Sequence, residues 1–177
     1  MENNIFIEKA SFIRSEFESE GLITHEIKSE GMSEVTMFRR GDIESPLYIL
    51  MSVWYDFRDP EWSIELRLGS GCPEKANDHV EFDISSVSLS ELGILDKPSS
   101  YLSRSINDNE LRSLFSTAIE YCIKFIRGDN KEALMVRHRR NSERVVDPLW
   151  INTKNKANSD MLFERNEKLK SIIRKYL

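Results

Sequence analysis

From Leu47 to Phe57 the chain is apolar on both sides of any strand it could form, and this limits the folds open to it. One face would carry Leu47, Ile49, Met51, Val53, Tyr55 and Phe57, the other Tyr48, Leu50, Ser52, Trp54 and Asp56. A strand loaded on both faces belongs inside a sheet, covered at least in part from both sides. The loop Asp56-Phe57-Arg58-Asp59-Pro60-Glu61 then turns the chain. Trp62 to Leu68 follows with clean alternation, Trp62, Ile64, Leu66 and Leu68 against Ser63, Glu65 and Arg67, as in a half-buried antiparallel strand. His79 to Ser85 repeats the pattern, with Val80, Phe82 and Ile84 inward and Glu81 and Asp83 outward, and predicts another strand. Two shorter strands are expected over 22–28 and 34–40, joined by a turn at Ser29-Glu30-Gly31. Links this short cannot make parallel crossovers, so the sheet is expected to be mostly antiparallel, with four to five strands.

Helical periodicity brackets these strands. Phe6, Phe12, Ile13 and Phe17 predict a first helix over 4–20, which Gly21 can end. Leu111, Leu114, Phe115, Ala118, Ile119, Cys122, Phe125 and Ile126 form a stripe over four turns, with Asn107 or Asp108 as cap and Gly128 as stop. A short helix is expected over 130–137, an irregular polar stretch over 138–158, and a last helix from Ser159 to Tyr176. Gly and Pro residues, Gly69 and Gly71 among them, read as punctuation between segments. The expected fold is α+β, a single domain over 1–177, with an N-terminal helix, the sheet, and two to three C-terminal helices.

Charge is divided along the chain. Residues 1–136 hold 25 acidic and 14 basic side chains, residues 137–177 hold 5 and 11. A surface of one sign attracts a binder of the other. Neither a secretory signal nor an apolar run of membrane-spanning length is legible, and Cys72 and Cys122 lie 50 residues apart, so a reducing cytoplasm and no membrane are expected. Cys122 reads as a core residue and Cys72 as a free surface thiol. The histidines, His25, His79 and His138, are scattered; no nucleophile turn, P-loop or zinc spacing is present, and no cofactor is implied.

Three functional expectations follow. The leading one is a non-enzymatic protein-binding module, most concretely an immunity-type inhibitor that masks a basic toxin such as a nuclease. Its partner-binding candidates are Tyr48, Trp54, Asp56, Asp59, Glu61, Glu65, Glu81 and Asp83: aromatic anchors ringed by carboxylates on the second sheet face. The second is a nucleic-acid binder acting through Arg137, Arg139, Arg140 and Arg144, with Trp150 nearby to stack a base. The third is a metal-dependent, nuclease-like enzyme centred on Asp56, Asp59 and Glu65. Some metal nucleases place a Glu-x-Lys after such an Asp, but Arg67 stands at the lysine position, and a guanidinium is a poor proton carrier.

Overall fold

The computed structural model describes residues 4–30, 33–42, 44–56, 58–59, 61–71, 79–95, 102–146 and 156–177. Its elements run α1 (Asn4–Ser19), β1 (Leu22–Glu30), β2 (Ser33–Arg40), β3 (Leu47–Tyr55), β4 (Glu61–Ser70), α2 (His79–Ser85), β5 (Ser86–Ser88), β6 (Leu102–Ser103), α3 (Asp108–Ile126), α4 (Glu132–Val146) and α5 (Lys156–Lys175). The strands form one antiparallel sheet in the order β1-β2-β3-β4-β5, with β6 also pairing to β4. β3 is its central strand. The pairing of β1 with β2 is interrupted by a bulge between Glu26 and Lys28. The α+β class and the antiparallel sheet agree with the sequence reading.

Each sheet face buries a different set of side chains. Phe38, Ile49, Met51, Val53, Tyr55, Trp62, Ile64, Leu66 and Leu68 lie on one side and pack with Phe6, Ile13 and Phe17 of α1 and Leu111, Phe115, Ala118, Cys122 and Phe125 of α3 in the main core. Asn107 caps α3 in a reciprocal box with Glu110, and Gly128 follows the helix in the left-handed region at φ 101°. The cysteine expected in this core is there: Cys122 is fully buried. Cys72 lies outside the described residues, as does the turn at Gly31. Val35, Met37, Tyr48 and Leu50 form a second, smaller cluster on the other face, sealed by Phe82 of α2.

The strand expected over His79–Ser85 is a helix. Its sequence hides two pairs at helical spacing beneath the alternation. Phe82 and Ser85 meet the sheet, Phe82 in the second cluster and Ser85 through its hydroxyl bond to Tyr48. Glu81 and Ile84 meet α5, Glu81 bonded to Tyr176 and Ile84 packed on Ile173 and Tyr176. Residues three apart share a face on a helix but fall on opposite faces of a strand, so a helix gives Phe82 and Ser85 to the sheet and Glu81 and Ile84 to α5 where a strand would not. The irregular stretch expected after 137 is likewise corrected, because α4 continues to Val146. Residues 147–155, with Trp150, lie outside the described residues.

Gly69 is inside β4 rather than between segments. It pairs directly with Tyr48 across the sheet, and a Cβ at this position would overlap the tyrosine ring. The ring uses the vacancy to lie flat along the backbone and carry its hydroxyl to Ser85. Gly69→Ala is therefore expected to lower stability by about 2 kcal/mol, the scale of overpacking a closed core. Urea unfolding of the two proteins would measure it, and equal midpoints would show that Tyr48 yields without cost.

Candidate protein-binding face

The second sheet face is divided into a sealed half and an open half. Over the sealed half, α2, α4 and α5 bring the chain's late basic segment down onto its acidic residues. Arg67 of β4 is the hub, its side chain only 14% exposed. Its Nη1 donates to Glu65 at 3.0 Å, its Nη2 to Asp83 at 3.0 Å, and its Nε to the Ser86 hydroxyl at 2.9 Å. Arg140 of α4 donates to Glu91 at 2.8 Å and to the carbonyl oxygens of Asp83 and Ser86. Arg144 donates to Asp83 at 2.6 Å, and Asn141, fully buried, to the carbonyl of Ile84. Arg137 has no carboxylate in this set; its Nη1 donates to the carbonyls of Ser70 and Ser85. The Nε groups of Arg137 and Arg140 are buried without a partner among the described residues.

The acid–base chemistry follows this geometry. Burial pulls the Asp83 pKa upward, but the Arg144 hydrogen bond and the charges of Arg67, Arg144 and Arg140 outweigh it, so the net shift is downward. Glu91 behaves alike: burial raises it, while the Ser88 amide and Arg140 bring it below its ordinary value. Burial lowers Arg137. Burial raises Tyr48 to about 12, so it stays a neutral donor and acceptor for Ser85.

The sequence-predicted residues divide accordingly. Tyr48 is fully buried, and Arg39 lies 5.4 Å over its ring. Glu81 and Asp83, expected on an outward strand face, belong to α2. Glu81 is buried against Tyr176, which donates to it at 2.7 Å, and Lys175 at 3.2 Å. Asp83 is held by the arginines described above. Of the basic candidates, Arg137, Arg140 and Arg144 bond within the molecule, and Arg139 is exposed. Glu91 escaped the sequence reading although its signature was present. Ser88-Leu89-Ser90-Glu91 forms a reciprocal box, with the Ser88 amide donating to Glu91 and the Glu91 amide to the Ser88 hydroxyl.

What remains open is the far end of the same face. Trp54 is 38% exposed and is the one large apolar side chain exposed on β2 to β6 among the described residues. Ser63 lies opposite it in register, and Glu65 one step diagonal, paired to Ser52. Asp56 follows at the strand end and Glu61 begins the partner strand, with exposed Asp59 between them. Asp56 accepts from the Arg58 guanidinium and amide, and these bonds bring its pKa to about 2. Among the described residues no three His, Cys, Asp or Glu side chains converge to hold a metal ion, so Asp56, Asp59 and Glu65 are not gathered into a ligand set. A groove of about 540 Å³ between α1 and α3 is rimmed by its own ion pairs, Arg112–Glu16, Lys124–Glu120 and Arg127–Glu20. No helix among the described residues is long and apolar enough to cross a membrane. No protein-family model matches the chain, and neither a curated protein nor a solved structure matches it.

Two outcomes are expected from the sealed half. A carboxylate whose folded pKa is depressed stabilises fully above its unfolded value, and that contribution is lost as pH falls through the folded one. Stability should thus fall on acidification below the ordinary aspartate value of 3.8, and Asp83→Asn should flatten the slope in urea unfolding at stepped pH. Tyr176→Phe leaves the buried Glu81 short of a donor and should cost about 1–2 kcal/mol. Hydrogen exchange should rise selectively in α5, since α5 is tied to α2 by this contact and by Ile173; exchange unchanged there would show that α5 is held elsewhere.

Proposed function

We propose that the protein is a non-enzymatic binding module whose open half-face receives a basic protein partner, as an immunity-type inhibitor receives its toxin. The observation that carries the reading is Trp54. A large aromatic side chain on a central strand is left accessible, with Asp59 and Glu61 exposed at the adjoining strand ends. Rigid aromatic rings supply contact area at low entropic cost, and surrounding carboxylates steer a positive partner. The partner-binding set contracts to Trp54, Asp56, Asp59, Glu61 and Glu65, because Tyr48, Glu81 and Asp83 are spent inside the molecule. The nucleic-acid reading loses support for the same reason: three of its four arginines already bond to this chain's own carboxylates and carbonyls. In this reading the protein works in the cytoplasm, where the unpaired thiol of Cys122 stays reduced.

The test uses the partner that co-purifies from the native host. Trp54→Ala is expected to weaken the complex about thirtyfold, a loss of about 2 kcal/mol typical of a central tryptophan anchor. Charge reversal of Asp59 and Glu61 should slow association and steepen neither unfolding curve. The reading also requires that the captured protein be basic and that its activity fall in proportion to bound inhibitor. Affinity unchanged in both variants would remove this face from consideration.

A further inference from the structure

Between Trp54 and the arginine network lies a cavity of about 110 Å³ lined by Val35, Leu50, Ser52, Glu65, Arg67, Phe82 and Asp83. Its apolar lining residues are themselves buried: Val35 is 9% exposed, Leu50 2% and Phe82 7%. Its polar groups are not equivalent. Asp83 has both oxygens engaged, one by Arg67 and one by Arg144. Arg67 spends its Nε, Nη1 and Nη2 groups on Ser86, Glu65 and Asp83. Glu65 gives Oε1 to Arg67, while its Oε2 has no partner among the described residues. The Ser52 hydroxyl, directly across the ladder, is also without one. The cavity therefore offers two acceptors and an apolar sleeve, and the three charged residues lining it sum to one negative charge.

We infer that this cavity takes a single lysine side chain of the partner, its methylenes along Val35, Leu50 and Phe82 and its ammonium on Glu65 Oε2 and Ser52 Oγ. The inference rests on the proposed binding face and names what that face grips. An arginine is the poorer guest. Its planar fork asks for both oxygens of a carboxylate, and Arg67 already holds one of the Glu65 pair. A carboxylate guest would meet Glu65 head-on. A lysine is a compact charge on a flexible apolar stem, which matches a narrow sleeve ending in one free carboxylate oxygen.

The probe is a blocked Ala-Lys-Ala peptide, with its Nε-acetylated form and Ala-Arg-Ala as controls, titrated into the isotope-labelled full chain. The lysine peptide should shift the Ser52 and Glu65 amides and the Trp54 indole resonance saturably, and both controls should bind about tenfold more weakly, the scale of one charged hydrogen bond. Glu65→Gln keeps an oxygen for Arg67 but removes the charge, and should abolish the shifts. Ser52→Leu fills the cavity without touching a charge and should do the same. Equal shifts from the acetylated peptide, or none at the highest soluble concentration, would overturn the inference. The native partner separates it from the reading beneath it. If Trp54→Ala weakens that complex while Glu65→Gln and Ser52→Leu do not, the face stands and the lysine anchor falls. If all three leave the complex unchanged, both fall.

Discussion

Arg67 is the residue around which the second half of the molecule is organised. It rises from β4 into a partly buried site, its side chain 14% exposed, where several acceptors hold it. Its requirement for acceptors draws in Asp83 from α2, Ser86 from β5 and Glu65 from its own strand. Those acceptors in turn serve Arg140 and Arg144, which fixes α4 against β5. One part-buried guanidinium thus helps to fix how β4, α2, β5 and α4 meet. Breaking such a set by removing one member is costly, although replacing all of it by apolar residues need not be.

The charge division so plain in the sequence has a structural use of its own. Positive residues late in the chain meet negative residues from its middle, Arg140, Arg144 and Lys175 pairing with Glu91, Asp83 and Glu81, and part of the asymmetry is cancelled internally. Lopsided charge along a sequence therefore says less about outside partners than its size suggests, because the chain is its own first partner. What is left over is the remainder: exposed Asp59 and Glu61 at the hairpin end and the second oxygen of Glu65, with Trp54 beside them.

The sheet was largely legible because its signal is local. β4 alternates cleanly and β3 is apolar on both faces, and the pairing of Val53 with Ile64 and Met51 with Leu66 follows once the hairpin is placed. α3 was legible through its apolar stripe and its cap. Of α4 only the start, within the short helix expected over 130–137, was legible, although the whole helix has a stripe. Ala133, Arg137, Arg140, Asn141 and Arg144 recur at helical spacing, but four of the five are polar, and a hydrophobic period cannot register a face buried through hydrogen bonds. α2 misled for the opposite reason, since Val80, Phe82 and Ile84 satisfy strand alternation while the layers on either side demand helical spacing. Of the candidate site, the aromatic-acidic hairpin end was visible in the sequence. The loss of Tyr48 and Glu81 to the interior, and of Asp83 to the arginines, was not, because it depends on contacts with residues 37 to 95 positions away.

The bulge between Glu26 and Lys28 bears on how the molecule keeps to itself. β1 is the outer strand of the sheet, with its far side unpaired among the described residues. A stray strand from another molecule adds on only where amides and carbonyls repeat evenly, and the bulge interrupts that repeat midway along β1. The Trp54 end of the sheet can thus stay uncovered while β1 denies the rim from which fibrous stacking would begin.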